Sequence, residues 1–326
     1  MGAVLHWYRT AAVSLLAVQL TVAHAQESYP TRLIRLIVPS SPGGGTDTSA
    51  RIIAPRLSEL LGQQVVVENR AGAAAMIGTE AVAKAPPDGY TLLMGQSTMT
   101  IVPSTYKSIR FDPVRDFAPI SMVVVVPQLL VGHVSLPPRN VQELIALAKA
   151  RPGQLDYAAG GFGGNPHMSM ELFLSMAGIK ITYVPFKSGN AGIMEALSGR
   201  VPLMMSNPLV SLPHVKAGRF RAYGVTSARR ANAVPEIPTL AEGGVPGYEA
   251  VQWFSVLAPA GTPREIVARL HRDLLHVMQD EETKKRFSAD GGEPTFSTTP
   301  EEFSALIRAE VAKWAKVAKA ANIERQ

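Results

Sequence analysis

The sequence predicts an α/β fold of two lobes, built on mixed, mainly parallel sheets with a ligand cleft between them, and three observations carry that prediction. Short β-rich runs alternate with helical patterns along the chain, the signature of βαβ units. An apolar run that breaks into glycines and then opens a helix occurs twice, at residues 33–47 and again at residues 155–167. The last third of the chain then supplies strands and helices that fit a return to the first lobe. Lobe 1 is expected over residues 26–122 and 227–326, lobe 2 over 123–226, and an export leader over 1–25.

The leader rests on Arg9 before the apolar run Ala11-Ala12-Val13-Ser14-Leu15-Leu16-Ala17-Val18, followed by Ala23-His24-Ala25, which places small residues at both positions read by a signal peptidase. Cleavage is expected after Ala25. A membrane anchor needs about 20 apolar residues, and Gln19 and Thr21 interrupt this run sooner. The chain is therefore read as exported in soluble form. It has no cysteine, so burial alone must hold it together. An apolar fraction of 46% with 6% aromatic residues suits packed α/β layers.

In the first lobe, a strand over 33–38 leads into Ser41-Pro42-Gly43-Gly44-Gly45-Thr46-Asp47. Glycines let the backbone bend and approach a ligand closely, and the free N–H groups of the following helical turn make an anion cradle. A Walker loop would carry Lys-Ser/Thr where Thr46 and Asp47 stand, and the Rossmann fingerprint lacks its last glycine. Asp47 would also repel a phosphate tail, which favours a small carboxylate. A glycine turn that only joins strand to helix is the other reading of the same residues.

The helix over 46–61 should bury Ala50, Ile53, Leu57, Leu60 and Leu61, bend at Pro55 and end at Gly62. A strand over 65–67, a helix over 75–83, a Pro86-Pro87-Asp88-Gly89 turn and a strand over 90–94 complete this lobe. The second lobe begins with strands over 120–126 and 129–131 and a helix over 140–150. Its glycine loop, Gly160-Gly161-Phe162-Gly163-Gly164-Asn165-Pro166-His167, opens a helix through 177. Two such helix origins facing one cleft would grip a ligand with two anionic ends.

The returning segment reads as strands over 220–226 and 248–258 and three helices. Two of these open on capping boxes, Thr262-Pro263-Arg264-Glu265 and Thr299-Pro300-Glu301-Glu302. The helix over 300–321 should bury Phe303, Leu306, Ile307, Trp314 and Val317 against a lobe.

Lys and Arg number 32 against 26 Asp and Glu, a formal charge of +6 that drops by one when Arg9 leaves with the leader. That modest excess favours encounter with anionic solutes. No nucleic-acid partner is expected, since the basic clusters Arg229-Arg230, Lys284-Lys285-Arg286 and Lys313/Lys316/Lys319 lack interleaved aromatics, and the last follows one solvated helix face. Catalytic signatures are missing too: no Gly-x-Ser-x-Gly elbow, no His-Glu-x-x-His, no metal-spaced cluster, and hence no metal or cofactor is expected. His167 either donates a hydrogen bond to a ligand carboxylate or terminates its loop, and no second ligand stands beside it for a metal.

Together, Tyr29-Pro30, Ile34-Arg35-Leu36-Ile37-Val38-Pro39, Pro42-Gly43-Gly44-Gly45-Thr46-Asp47, Leu61-Gly62-Gln63, Val65-Val66-Val67-Glu68-Asn69-Arg70, Pro86-Pro87-Asp88-Gly89-Tyr90-Thr91-Leu92, Val184-Pro185-Phe186-Lys187 and Ala258-Pro259-Ala260-Gly261-Thr262-Pro263 resemble, in order, the recurrent blocks of the TctC or Bug family. That resemblance implies a type II-like periplasmic binding protein whose lobes close on a small organic carboxylate: a di- or tricarboxylate, an amino acid or an aromatic acid. It implies a monomer that docks transiently on a membrane transporter, with a two-component sensor as the alternative partner. Its ligand contacts carry over to Ser41, Pro42, Gly43, Gly44, Gly45, Thr46, Asp47, Ser97, Thr98, Gly161, Phe162, Gly163, Gly164, Asn165, His167, Phe186 and Asn207. A serine common in the second loop is absent here, and Phe186-Lys187-Ser188-Gly189 replaces a Tyr-Lys-Gly block, so ligand identity does not transfer. The competing enzyme reading is a periplasmic hydrolase or isomerase using His167 with Asp47 or Asp156.

Overall fold

The computed structural model describes residues 29–326, so the expected leader over 1–25 lies outside the described residues. Two sheets organise the chain. In the first, β1 (Ile34–Val38) is buried along nearly its whole length, as an inner parallel strand covered on both faces requires. It pairs in parallel with β2 (Val65–Asn69) and β3 (Thr91–Gln96), with Leu36 opposite Val67 and Leu92. Beyond β3 lie β10 (Gln252–Pro259), β4 (Phe117–Val126) and the short edge strand β11 (Glu293–Pro294), each antiparallel to its neighbour.

The second sheet has the order β7-β6-β8-β5-β9. Here β6 (Asp156–Gly160) pairs in parallel with β7 (Thr182–Phe186) and β8 (Leu203–Ser206), and β5 (Leu129–His133) pairs antiparallel with β8 and β9 (Phe220–Val225). Parallel pairing therefore fills only one half of each sheet. The strands that receive the chain after each crossing, β5 and β10, run against their neighbours.

The sheets also place the crossings later than residues 122 and 227. β4 continues in the first sheet to Val126, because its buried alternation persists that far. After β9, Leu240, Val245, Tyr248 and Ala250 pack in the core of the second sheet, and the Tyr248 hydroxyl donates to the Ser169 carbonyl at 2.9 Å. The expected strand over 248–258 consequently starts only at Gln252.

Helices cover the sheets: α1 (Gly45–Leu61), α2 (Met76–Ala83) and α3 (Thr98–Thr105) in the first lobe, and α4 (Val141–Ala150), α5 (Asn165–Ala177), α6 (Gly189–Ser198) and α7 (Pro208–Lys216) in the second. The returning chain adds α8 (Arg264–Gln279), α9 (Glu281–Ala289) and α10 (Pro300–Ala320). At α10 the Thr299 hydroxyl accepts from the Glu302 amide at 3.1 Å, as the capping box predicts. The box expected at Thr262 does not form. That hydroxyl donates to the Pro259 carbonyl at 2.7 Å, and Pro263 holds the cap position without a side-chain bond.

Helix α10 joins the two cores. Phe303 and Ile307 pack with Trp253 and Leu257 of the first sheet, whereas Trp314, Val317 and Ala318 pack with Met168 and Phe173 of the second lobe.

Strain concentrates before α2, where Ala73, Ala74 and Ala75 have φ of 47°, 51° and 72°. Left-handed backbone costs an L-residue about 1–2 kcal/mol, partly offset by the entropy that glycine adds to the unfolded chain. Ala74→Gly and Ala75→Gly should each raise stability by roughly 0.5 kcal/mol in urea denaturation. A loss of stability at both positions would show that this backbone is not adopted in solution.

Candidate functional site

The carboxyl end of β1 delivers the chain into the first glycine loop. Gly43 has φ +80°, a conformation open to glycine, and its N–H donates to Asp47 Oδ2 at 2.9 Å. Gly44 then caps α1 with no side-chain bond. Among the described residues the amides of Gly45, Thr46 and Asp47 find no protein acceptor, so the positive end of α1 stands free. A Cβ on Gly45 would lie 3.2 Å from the Phe254 ring, which explains why the loop can lie against β10.

Asp47 itself works beneath the loop. Its side chain is buried; besides Gly43, it accepts from Arg51 Nε at 3.0 Å and Asn69 Nδ2 at 2.9 Å. Burial alone would raise its pKa, but the bonds from Arg51, Gly43 and Asn69 outweigh burial and hold the carboxyl below its usual range. The charge that sequence reasoning set against a phosphate is thus spent on the protein's own groups.

Between the two sheets lies a cleft of about 450 Å³. Gly43, Gly44, Gly45 and Thr46 form one wall, with Gln96 and Gln252 beside them, and Asn207 and Leu209 at the start of α7 come from the other lobe. Thr46 Oγ1 donates to Gln96 Oε1 at 2.7 Å, which leaves the Gln96 NH2 for the cleft. Asn207 Oδ1 accepts from the Leu209 amide at 2.9 Å, leaving its own NH2 free among the described residues. No Lys or Arg lines this cleft. Ser41 and Pro42 are exposed at the loop's outer edge and do not line it.

The second glycine loop does not line this cleft and is docked on the first lobe instead. A Cβ on Gly163 would lie 2.6 Å from Thr105 Oγ1, and the Tyr106 hydroxyl donates to the Phe162 carbonyl at 3.4 Å. Asn165, buried, donates to Ser97 Oγ at 3.3 Å, so Ser97 is engaged next to Thr98 at the start of α3. Gly161 donates to the Phe186 carbonyl at 3.1 Å, tying the loop to β7, and Gly164 closes the turn onto Gly161 at 3.2 Å. The cleft therefore sees one free positive helix end, where the sequence predicts two.

His167 serves its own loop. Its Nδ1 accepts from the Gly163 amide at 3.1 Å, and its ring stacks on Tyr183 with centroids 4.1 Å apart. Burial pushes its pKa down to about 4. Glu171 Oε1 lies 3.9 Å from Nε2 and accepts the Tyr157 hydroxyl at 2.5 Å; burial raises the Glu171 pKa. Neither Asp47 nor Asp156 pairs with His167 among the described residues, so the acid–base couple of the enzyme reading is not assembled.

Sequence reasoning missed Gln96, Gln252, Phe254 and Asp290, all of which line the cleft. Gln96 ends a parallel strand one residue before Ser97, a position where α/β sheets present ligand groups. The others come from returning strands and turns that carry no motif.

Two mixed α/β sheets joined by two chain crossings, with a polar cleft between them, define a two-lobed solute-binding protein. Residues 49–323 match the model of the tripartite tricarboxylate transporter family receptor, TctC. The chain belongs to that family. It is 38% identical to Protein BugT of Bordetella pertussis over 89% of this chain and 90% of that one. Among solved structures it resembles "R. palustris Rpa4515 with adipate", at 39% identity and TM-score 0.77 over 91% of this chain and 100% of that one. It also resembles MatC from Rhodopseudomonas palustris with bound malate, at 28% identity and TM-score 0.74 over 89% of this chain and 100% of that one. The family is made up of periplasmic solute-binding receptors.

Proposed function

We propose that this protein captures a small organic carboxylate in the periplasm and presents it to a membrane transporter. The observation that carries the reading is the unpaired amides of Gly45 and Thr46 in the cleft lining, with that of Asp47 next in the chain, and two solved relatives are described with adipate and with bound malate. A carboxylate seated there accepts charge-assisted bonds from these amides, while Gln96 and Gln252 hold it from the side and Asn207 reaches it from the second lobe. The second glycine loop sets the spacing of the lobes. Closure about the crossings at 127–128 and 226–251 removes water and strengthens every bond in the cleft. The protein acts as a monomer, entering the periplasm through the leader cleaved after Ala25.

The magnitudes suffice without an arginine. Micromolar affinity needs about −8 kcal/mol, and hydrogen bonds to a charged group contribute roughly 1.5–3 kcal/mol each. Five or so, less the cost of association, reach that value. Thermal unfolding against mono-, di- and tricarboxylates tests the reading, since a ligand at 100 times its Kd adds about 2.7 kcal/mol. Stabilisation by a phosphate compound alone, with no response to any carboxylate, would overturn it.

A further inference from the structure

Two helices present ends of opposite sign to the cleft: α1 its free amides, and α9 its carboxyl end, with Asp290 in the lining. We infer that the cleft selects an acid bearing an ammonium or other hydrogen-bond-donating group at the end away from its carboxylate, and that Asp290 reads that group. The inference rests on the carboxylate reading above and adds the chemistry of the far end.

Asp290 has no structural task. Its backbone N–H bonds to the Arg286 and Phe287 carbonyls, but its carboxylate makes no hydrogen bond or ion pair among the described residues. A negative charge at a helix carboxyl end opposes the helix dipole, so local stability argues against an acid here. The turn behind it is firmly held. Gly291 and Gly292 donate to the Ser288 and Phe287 carbonyls at 3.0 Å each, a Cβ on Gly292 would lie 2.6 Å from Val124, and one on Gly291 would lie 2.8 Å from Leu209 of the opposite lobe. Nearby, the Asn232 amide donates to Glu293 Oε1 at 2.9 Å across the lobes. Asp290 is thus fixed at the cleft by a rigid turn at the seam.

No cationic side chain is in the lining and the first amides of α7 are taken by their own cap, Asn207, so a second ligand carboxylate beside Asp290 and the negative end of α9 would find no free cation. An ammonium in that place meets both favourably. A zwitterion with separated charges lies along the field of the cleft, anion at α1 and cation at α9.

Matched pairs of equal length test this by calorimetry on the full chain: succinate with 4-aminobutanoate, glutarate with 5-aminopentanoate, and adipate with 6-aminohexanoate. In at least one pair the amino acid should bind at least about tenfold more tightly than the diacid. Asp290→Asn, at an exposed position, should erase that preference by weakening the amino acid and strengthening the diacid. Diacids bound as tightly as or tighter than the amino acids in every pair would overturn the inference and leave the carboxylate reading standing, as would a preference unchanged in Asp290→Asn. Failure of all six acids to bind the wild type would overturn the inference, and the carboxylate reading falls with it only if the wider carboxylate panel gives no response either.

Discussion

Asp47→Ala should lower the unfolding free energy by about 3 kcal/mol, the usual range for stranding the partners of a buried, hydrogen-bonded charge, and should weaken carboxylate binding at least tenfold. The side chain holds Gly43, Arg51 and Asn69 at once, and Gly43 begins the loop whose amides line the cleft. Loss of the carboxylate leaves the Gly43 N–H and Arg51 Nε without their acceptor, removes one of the two bonds of Asn69 Nδ2, and lets the loop relax away from its present geometry. The acid limb of stability follows with a definite sign. Because the folded pKa is depressed, the contribution of Asp47 is present above about pH 4, where the unfolded carboxyl is ionised, and is lost as pH falls through the lower folded value. Urea denaturation at pH 7 and pH 3, with calorimetry on the same samples, checks both parts. An Asp47→Ala protein as stable and as competent as the wild type would refute this role.

The second large effect concerns His167, whose folded pKa near 4 lies well below its ordinary 6.5. The neutral ring is the form that accepts the Gly163 amide, so its contribution is fully present above about pH 6.5 and is lost as pH falls toward 4. The whole span amounts to something on the order of 3 kcal/mol. Glu171, with a raised pKa, acts in the opposite sense and flattens part of the slope. His167→Phe keeps the stack on Tyr183 but strands the Gly163 N–H, which should cost about 2 kcal/mol at pH 7 and remove most of the dependence between pH 6.5 and 4. Denaturation midpoints across that range for both proteins decide it. Equal slopes would show that the imidazole does not titrate in this environment.

Much of the architecture was legible because the determining residues are local. The apolar runs at Ile34–Val38 and Asp156–Gly160, the glycines that follow them and the Thr299 cap all act through neighbours in the chain. The first cradle could be read for the same reason: Gly43, Gly44 and Gly45 expose amides whatever the rest of the fold does. The second loop has the same local grammar, yet its surroundings depend on Thr105, Ser97 and Tyr106, which a periodicity argument does not bring near it. Asp290 and Gln252 reach the cleft only because the chain returns to the first sheet, and long-range pairing leaves no mark on the residues themselves. The Thr262 box failed for a further reason. The helix begins one residue later than the box requires, with Pro263 in the cap position, so the Thr262 hydroxyl stands outside it and donates to the Pro259 carbonyl of the turn.

The helix from Pro300 to Ala320 limits how this molecule can open. Phe303 is anchored in one half and Trp314 in the other, and both are fully buried. Pulling either ring into water would cost roughly 3–5 kcal/mol, as removing such a ring from a core does. A wide clamshell swing is thereby penalised, whereas a twist that pivots on this shared rod leaves both anchors seated. Solute capture should thus resemble the slight turning of two grips on a common axle, with the mouth widening only enough to admit a small guest.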